Sequence, residues 1–97
     1  MTRVGAPEVL ECVDRPDPVP GAGEVLVQIS AAGVNFMDTG VRRGLAWTDR
    51  ADPKVLGVEG AGQVLAVGSG DNEFRPGERV AWAYAPGSYA EKVLVPA

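Results

Sequence analysis

The clearest pattern in the chain runs from Glu24 to Ala31, where Val25, Val27 and Ile29 alternate with Leu26, Gln28 and Ser30. A period of two predicts a strand with one face on a core. The run stops at Gly33, and Asn35 and Asp38 follow three positions apart. A short helix is predicted from Asn35 through Arg43. Asn is among the best N-caps, and Gly44 suits the left-handed turn that ends a helix. Gly40, inside that span, weakens it. Residues three apart share a helix face, so Asn35 and Asp38 would sit together at the amide end. On spacing alone, Asn35 reads as a cap; the alternative is an amide and a carboxylate that orient a polar small molecule.

Around these two elements the pattern is shorter and more broken. Glu8–Val13 reads as a short strand with little before it to pair. Arg15–Gly23 carries Pro16, Pro18 and Pro20, whose missing amide donors make it a connecting loop. Leu45–Val55, with Trp47, reads as a surface loop. Gln63–Val67 is a strand with apolar residues on both faces, and Arg79–Ala83 and Ser88–Val95 are further strands. Gly68–Asn72 and Arg75–Glu78 are turns. Short strands, frequent turns and one or two short helices describe a mainly β domain, a partly open barrel.

Composition narrows the function classes. Ninety-seven residues make one domain with a modest core, and 13 Gly with eight Pro argue against a helical bundle. A net charge of −4 disfavours nucleic acid or an anionic membrane surface as partner. No apolar run reaches the roughly 20 residues of a membrane helix, and the first residues lack a signal-peptide core. The expected compartment is the cytoplasm, which suits a lone cysteine, Cys12. There is no histidine. Zinc sites built on His, and catalytic triads that need one, are therefore outside the reach of these residues. Acid–base work would fall to carboxylates, Lys92, Tyr84, Tyr89 or water.

The remaining motifs have bland and sharp readings. Gly57–Gly62 has the spacing G-x-x-G-x-G and precedes Val64, Leu65 and Val67, so it fails the dinucleotide fingerprint on spacing and context. Close backbone packing is the better reading. Glu59, between glycines, reads as a structural hydrogen-bond acceptor, with a functional role as the alternative. Trp47, Trp82, Tyr84 and Tyr89 are scattered; packing is the default and ligand stacking the alternative. Arg42–Arg43 near the helix end fits the helix dipole without a ligand.

Taken in order, the motifs resemble a known family. Pro7-Glu8-Val9-Leu10, Gly21-x-Gly23-Glu24-Val25-Leu26-Val27, Ala31-Ala32-Gly33-Val34-Asn35-x-x-Asp38 and Gly57-x-Glu59-Gly60-Ala61-Gly62 closely resemble quinone oxidoreductases. Val67-Gly68, Pro76-Gly77-x-Arg79-Val80 and Gly87-Ser88-Tyr89-Ala90-Glu91 continue the match. These are the zinc-free, ζ-crystallin-like branch of the medium-chain dehydrogenase/reductase superfamily. Enoyl reductase domains of polyketide synthases are similar over the same stretch.

The resemblance implies that residues 1–97 form a GroES-like barrel, the substrate-side half of an NADPH-dependent enzyme reducing a quinone or conjugated carbonyl without zinc. It places Asn35 where zinc-dependent relatives carry a Cys ligand, and Val58 where they carry a His ligand. It implies Asn35 and Asp38 as the catalytic pair, with Asn35 and Arg42 toward the cofactor. Phe36, Trp47 and Glu59 fall on the substrate side. Two family tyrosines are replaced by Gly40 and Ala46, and Trp47 is a candidate replacement ring. The family's Rossmann domain is not among these residues. The cofactor site then implies further chain, a Rossmann-domain partner or a homodimer, and little redox turnover by these 97 residues alone. The contrasting reading is a stand-alone barrel with a cofactor-free catalytic or ligand-binding role.

Overall fold

The computed structural model describes residues 1, 3–45, 55–70 and 73–96. Its core is made by the alternation that the sequence displays. Val25, Val27, Val64, Val93 and Val95 are buried together, with Ile29, Val67, Phe74, Val80 and Trp82 packed around them. Their strands are β1 (Glu24–Ala32), β2 (Gly60–Val67), β3 (Arg79–Trp82) and β4 (Lys92–Pro96), in one sheet of order β3-β2-β1-β4. All pairings are antiparallel. β1 is the centre of the sheet. Val27 lies opposite Val64 on one side and Val93 on the other, and its own exposure is 0%. Each such valine withdraws about 1.5–3 kcal/mol of apolar surface from water.

The sheet is bent where its register slips, between Leu26 and Val27 and again between Ile29 and Ala31. Such bulges add twist and curl a sheet toward a barrel. A Cβ on Gly62 would fall on the Gln28 carbonyl oxygen, so the strand crossing here depends on glycine. That is the close packing expected of Gly57–Gly62. The curled face stays open as a groove of about 230 Å³, lined by Val25, Val27, Val80, Trp82 and Val95 among others. The fold class is the mainly β, partly open barrel the sequence implies.

The helix α1 spans Phe36–Arg43. Asn35 stands at its N-cap in extended backbone, and Gly44 closes it at φ 84. Gly44 N–H donates to Val41 O and Leu45 N–H to Gly40 O, the paired bonds of a Schellman turn. Val41 and Asp38 face inward. A two-way clasp ties the N-terminal segment to this helix: Gly5 N–H donates to Arg42 O (2.8 Å), and Arg42 Nε donates to Gly5 O (3.0 Å).

Two expectations need correction. The strand expected at Glu8–Val13 is absent; Pro7–Val9 is a turn of 3-10 helix, and residues 10–21 have no regular structure. Pro7 starts that turn, and none of the described strands pairs with Glu8–Val13. The last strand begins at Lys92 rather than Ser88, because residues 85–89 are bonded instead to residues 56–58.

Candidate functional site

The site is assembled where β1 hands over to α1. Gly33 N–H donates to Glu59 O at 3.0 Å, which lays the segment after β1 against the segment before β2. Gly33 must be glycine for this. A Cβ there would overlap the Glu59 side chain, whose Cδ would lie 2.6 Å away. Glu59 thereby reaches across to Asn35, and Asn35 Nδ2 donates to Glu59 Oε1 at 3.0 Å.

Asn35 is held from its other side by the helix it caps. Its backbone N–H donates to Asp38 Oδ2 at 3.0 Å, one half of a capping box. Tyr89 OH donates to the same oxygen at 2.6 Å. Tyr89 N–H in turn donates to Leu56 O, Gly87 N–H to Gly57 O and Ala85 N–H to Val58 O, so residues 85–89 are pinned alongside 56–58. One chain of bonds thus runs Glu59, Asn35, Asp38, Tyr89 and joins three segments far apart in sequence. Of the members, Asp38 is the most enclosed, at 5% exposure. Its Oδ1 has no hydrogen-bond partner among the described residues.

The electrostatics follow from two carboxylates around one carboxamide. Because a carboxylate only accepts, Glu59 fixes which end of the Asn35 amide faces it. One Nδ2 hydrogen is committed there; the second has no partner among the described residues. Tyr89 is pushed from 10.0 to about 12, first by burial, then by its hydrogen bond to Asp38 and the Asp38 charge. Its phenol stays protonated at neutral pH with its hydrogen committed to Asp38. The arrangement can orient a ligand and shape a pocket. It holds no tyrosine poised to exchange a proton near pH 7.

Beside this network the surface is apolar and open. Val34 and Phe36, on either side of Asn35, are exposed, Phe36 to 86%. Tyr84 is also exposed, and it is the one non-glycine residue of positive φ (62°) among the described residues.

The structure therefore brings Asn35, Asp38 and Glu59 together, with Phe36 at the edge. Arg42 lies at the other end of the helix, its Nε engaged by Gly5 O. Trp47 lies outside the described residues. Tyr89 is the member that sequence reasoning left among the scattered aromatics. The sequence signals for it were its standing as a possible acid–base group and its place in the Gly87-Ser88-Tyr89-Ala90-Glu91 motif; its contact with Asp38 comes from the fold. Among the described residues no cluster of three His, Cys, Asp or Glu side chains could hold a metal ion. No helix among them is long and apolar enough to cross a membrane.

Comparison with known proteins assigns the architecture. The alcohol dehydrogenase GroES-like domain family matches residues 21–97. A quinone oxidoreductase from Pseudomonas aeruginosa is 49% identical over 88 residues, covering 90% of this chain and 27% of that protein. The solved quinone oxidoreductase of Pseudomonas syringae pv. tomato superposes with a TM-score of 0.92 at 45% identity, over 98% of this chain and 29% of its own. The Escherichia coli quinone oxidoreductase complexed with NADPH gives a TM-score of 0.90 at 38% identity, again over 98% of this chain and 29% of its own. The chain thus spans about a quarter of the length of the curated relatives it matches. With the fold and residues 21–97 matched, the chain belongs to the alcohol dehydrogenase GroES-like domain family, and over nearly its own whole length it is similar to the corresponding part of quinone oxidoreductases.

Proposed function

We propose that this chain is the substrate-side domain of an NADPH-dependent oxidoreductase that reduces quinones or conjugated carbonyls without zinc. The observation that carries the reading is the Asn35 carboxamide, fixed by Glu59 at 3.0 Å beside an open apolar lip. A neutral amide in the position of a metal ligand suits an acceptor that is already electron-poor. With no histidine and one cysteine, these residues supply no donor set for a His-ligated zinc.

The residues fit one end of the cofactor only. Asn35, with an uncommitted Nδ2 hydrogen, and the exposed Phe36 suit a flat polar ring of nicotinamide size. Gly57–Gly62 runs into strand β2, not a helix, so it is no pyrophosphate cradle. The rest of the site would be built by a Rossmann domain in further chain or in a partner. When bound, NADPH supplies the hydride. This chain's part is to position: Asn35 donates to the ring or the acceptor oxygen, and Glu59 and Asp38 hold Asn35 in place. The proton taken up by the reduced acceptor comes from solvent, since the Tyr89 hydrogen is committed to Asp38.

The test compares this chain joined to, or mixed with, the Rossmann domain proposed to complete it with the 97-residue chain alone. NADPH oxidation by duroquinone is expected from the first, without added or bound zinc. Neither turnover nor micromolar NADPH binding is expected from the second. Sustained reduction by the short chain, or a stoichiometric zinc required for activity, would overturn the assignment.

A further inference from the structure

We propose that Tyr89 is a positioning residue for the Asn35 carboxamide, acting through Asp38 to fix the direction from which that amide meets its ligand. The inference deepens the functional reading above and rests on it for the reaction; the geometry of the residue stands by itself. Asn35 is gripped twice. Its Nδ2 donates to Glu59 Oε1 at 3.0 Å, and its backbone N–H donates to Asp38 Oδ2 at 3.0 Å. The first contact sets where the carboxamide ends, and the second sets where its stem begins. Both are needed, because a side chain tethered only at its tip can pivot about that tip.

The second grip is only as firm as Asp38. That carboxylate is buried, and its Oδ1 has no partner among the described residues. The Asn35 N–H and the Tyr89 hydroxyl, at 2.6 Å, both donate to Oδ2. A buried charged group is costly to leave short of donors. Without the Tyr89 hydroxyl, the carboxylate would keep the Asn35 N–H alone on Oδ2, and turning toward any other donor releases it.

Tyr89 is in turn fixed by the segment that carries Glu59. Tyr89 N–H donates to Leu56 O at 2.9 Å, and Gly87 N–H donates to Gly57 O at 2.9 Å. The Tyr89 ring lies so close to the Gly57 backbone that a Cβ there would stand 2.6 Å from its Cδ1. Residues 56–59 therefore hold Asn35 by two routes, directly through Glu59 and indirectly through Tyr89 and Asp38. The contacts close into a ring: Asn35 to Glu59, along the backbone to Leu56, across to Tyr89, then Asp38, then Asn35 again. Support of this kind keeps a ligand-facing group in one geometry. Tyr89 is the side chain in that ring that is not itself bonded to Asn35.

The experiment uses this chain joined to the Rossmann domain proposed to complete it, with NADPH and duroquinone. It compares wild type, Tyr89→Phe, a protein with 3-fluorotyrosine at position 89, and Val27→Ala as a destabilised control away from the site. A small misplacement of a positioning group can cost up to about 10²-fold in rate, so the loss of one of two grips is expected to lower kcat about tenfold in Tyr89→Phe. The NADPH dissociation constant should stay within about twofold, and 3-fluorotyrosine, which keeps the hydroxyl, should restore kcat. Nitrogen–proton spectra should show the Asn35 side-chain amide moved in Tyr89→Phe but in place in the other two. A kcat within about twofold of wild type in Tyr89→Phe, no rescue by 3-fluorotyrosine, or an equal loss in Val27→Ala would each overturn the proposal. So would an unmoved Asn35 amide signal in Tyr89→Phe. If the wild type turns over no duroquinone while that signal still moves, the oxidoreductase reading fails and the positioning of Asn35 by Tyr89 stands.

Discussion

Replacing Tyr89 by Phe removes one oxygen and tests the central network. That oxygen donates to Asp38 Oδ2 at 2.6 Å, and Asp38 is 5% exposed with Oδ1 already lacking a partner. A hydrogen bond to a charged group contributes about 1.5–3 kcal/mol when enclosed. The titration of Tyr89 gives an independent measure. Its rise from 10.0 to about 12 would correspond to roughly 2.7 kcal/mol if the ring were sealed from water. Tyr89 is 37% exposed, however, and solvent screening reduces this to about 1–1.5 kcal/mol. The two routes agree near the lower figure. For a domain of this size, about 1 kcal/mol moves the melting temperature by roughly 4–8 °C.

The same shift dictates how the loss depends on pH. The folded state favours the neutral phenol, so the stabilisation is complete below pH 10. It fades as pH rises from 10 through 12, because the unfolded chain then ionises first. Urea unfolding of wild type and Tyr89→Phe should show a gap of about 1–1.5 kcal/mol at pH 7 that has closed by about half at pH 11. A gap that stays constant from pH 7 to 11, or none at pH 7, would refute the reasoning.

Three further substitutions separate core, helix and site. Val27→Ala empties a fully buried position and is expected to cost about 2–3 kcal/mol, read as a lower urea midpoint at unchanged slope. Gly40→Ala is expected to stabilise by about 0.5–1 kcal/mol, since a Cβ there meets nothing within 4 Å and helix backbone favours alanine; a raised melting temperature checks it. Gly33→Ala puts a methyl into the Glu59 side chain, at an expected cost of about 1–3 kcal/mol. Nitrogen–proton spectra should then show the Asn35 side-chain amide shifted toward solvent-exposed values as its bond to Glu59 is lost.

Much of this architecture was legible because local chemistry and global packing agree. The alternation Val25, Val27, Ile29 survived intact because β1 sits at the sheet centre, with a core on one face. Asn35 and Gly44 bracketed α1 correctly because both ends are fixed by backbone-level rules. Glu8–Val13 misled because strand propensity needs a partner, and none of the described strands lies beside it. The site was half legible. Asn35 and Asp38 are neighbours in sequence, and their capping relation can be read at that range. The bond from Asn35 to Glu59 spans 24 residues and that from Tyr89 to Asp38 spans 51. No periodicity encodes such contacts.

The placement of the site explains why it can be tuned apart from the fold. The five clustered valines, Val25, Val27, Val64, Val93 and Val95, belong to the first half of β1 and the strands beside it, whereas Asn35, Asp38 and Glu59, with the buried Val41 and Val58 near them, lie beyond the far end of β1. Residues 28–33 connect the two regions, and they are held by strand pairing and by Gly33 against Glu59. A cavity at Val27 should therefore lower stability while leaving the Asn35 amide signal in place. A methyl at Gly33 should move that signal first. Effects at well-separated positions add to within a few tenths of a kcal/mol, so the double variant should lose the sum of the two single losses. A large departure from additivity would mean that core and cleft are one cooperative unit, and that Asn35 is positioned by the packing of the sheet rather than by Glu59 and Asp38.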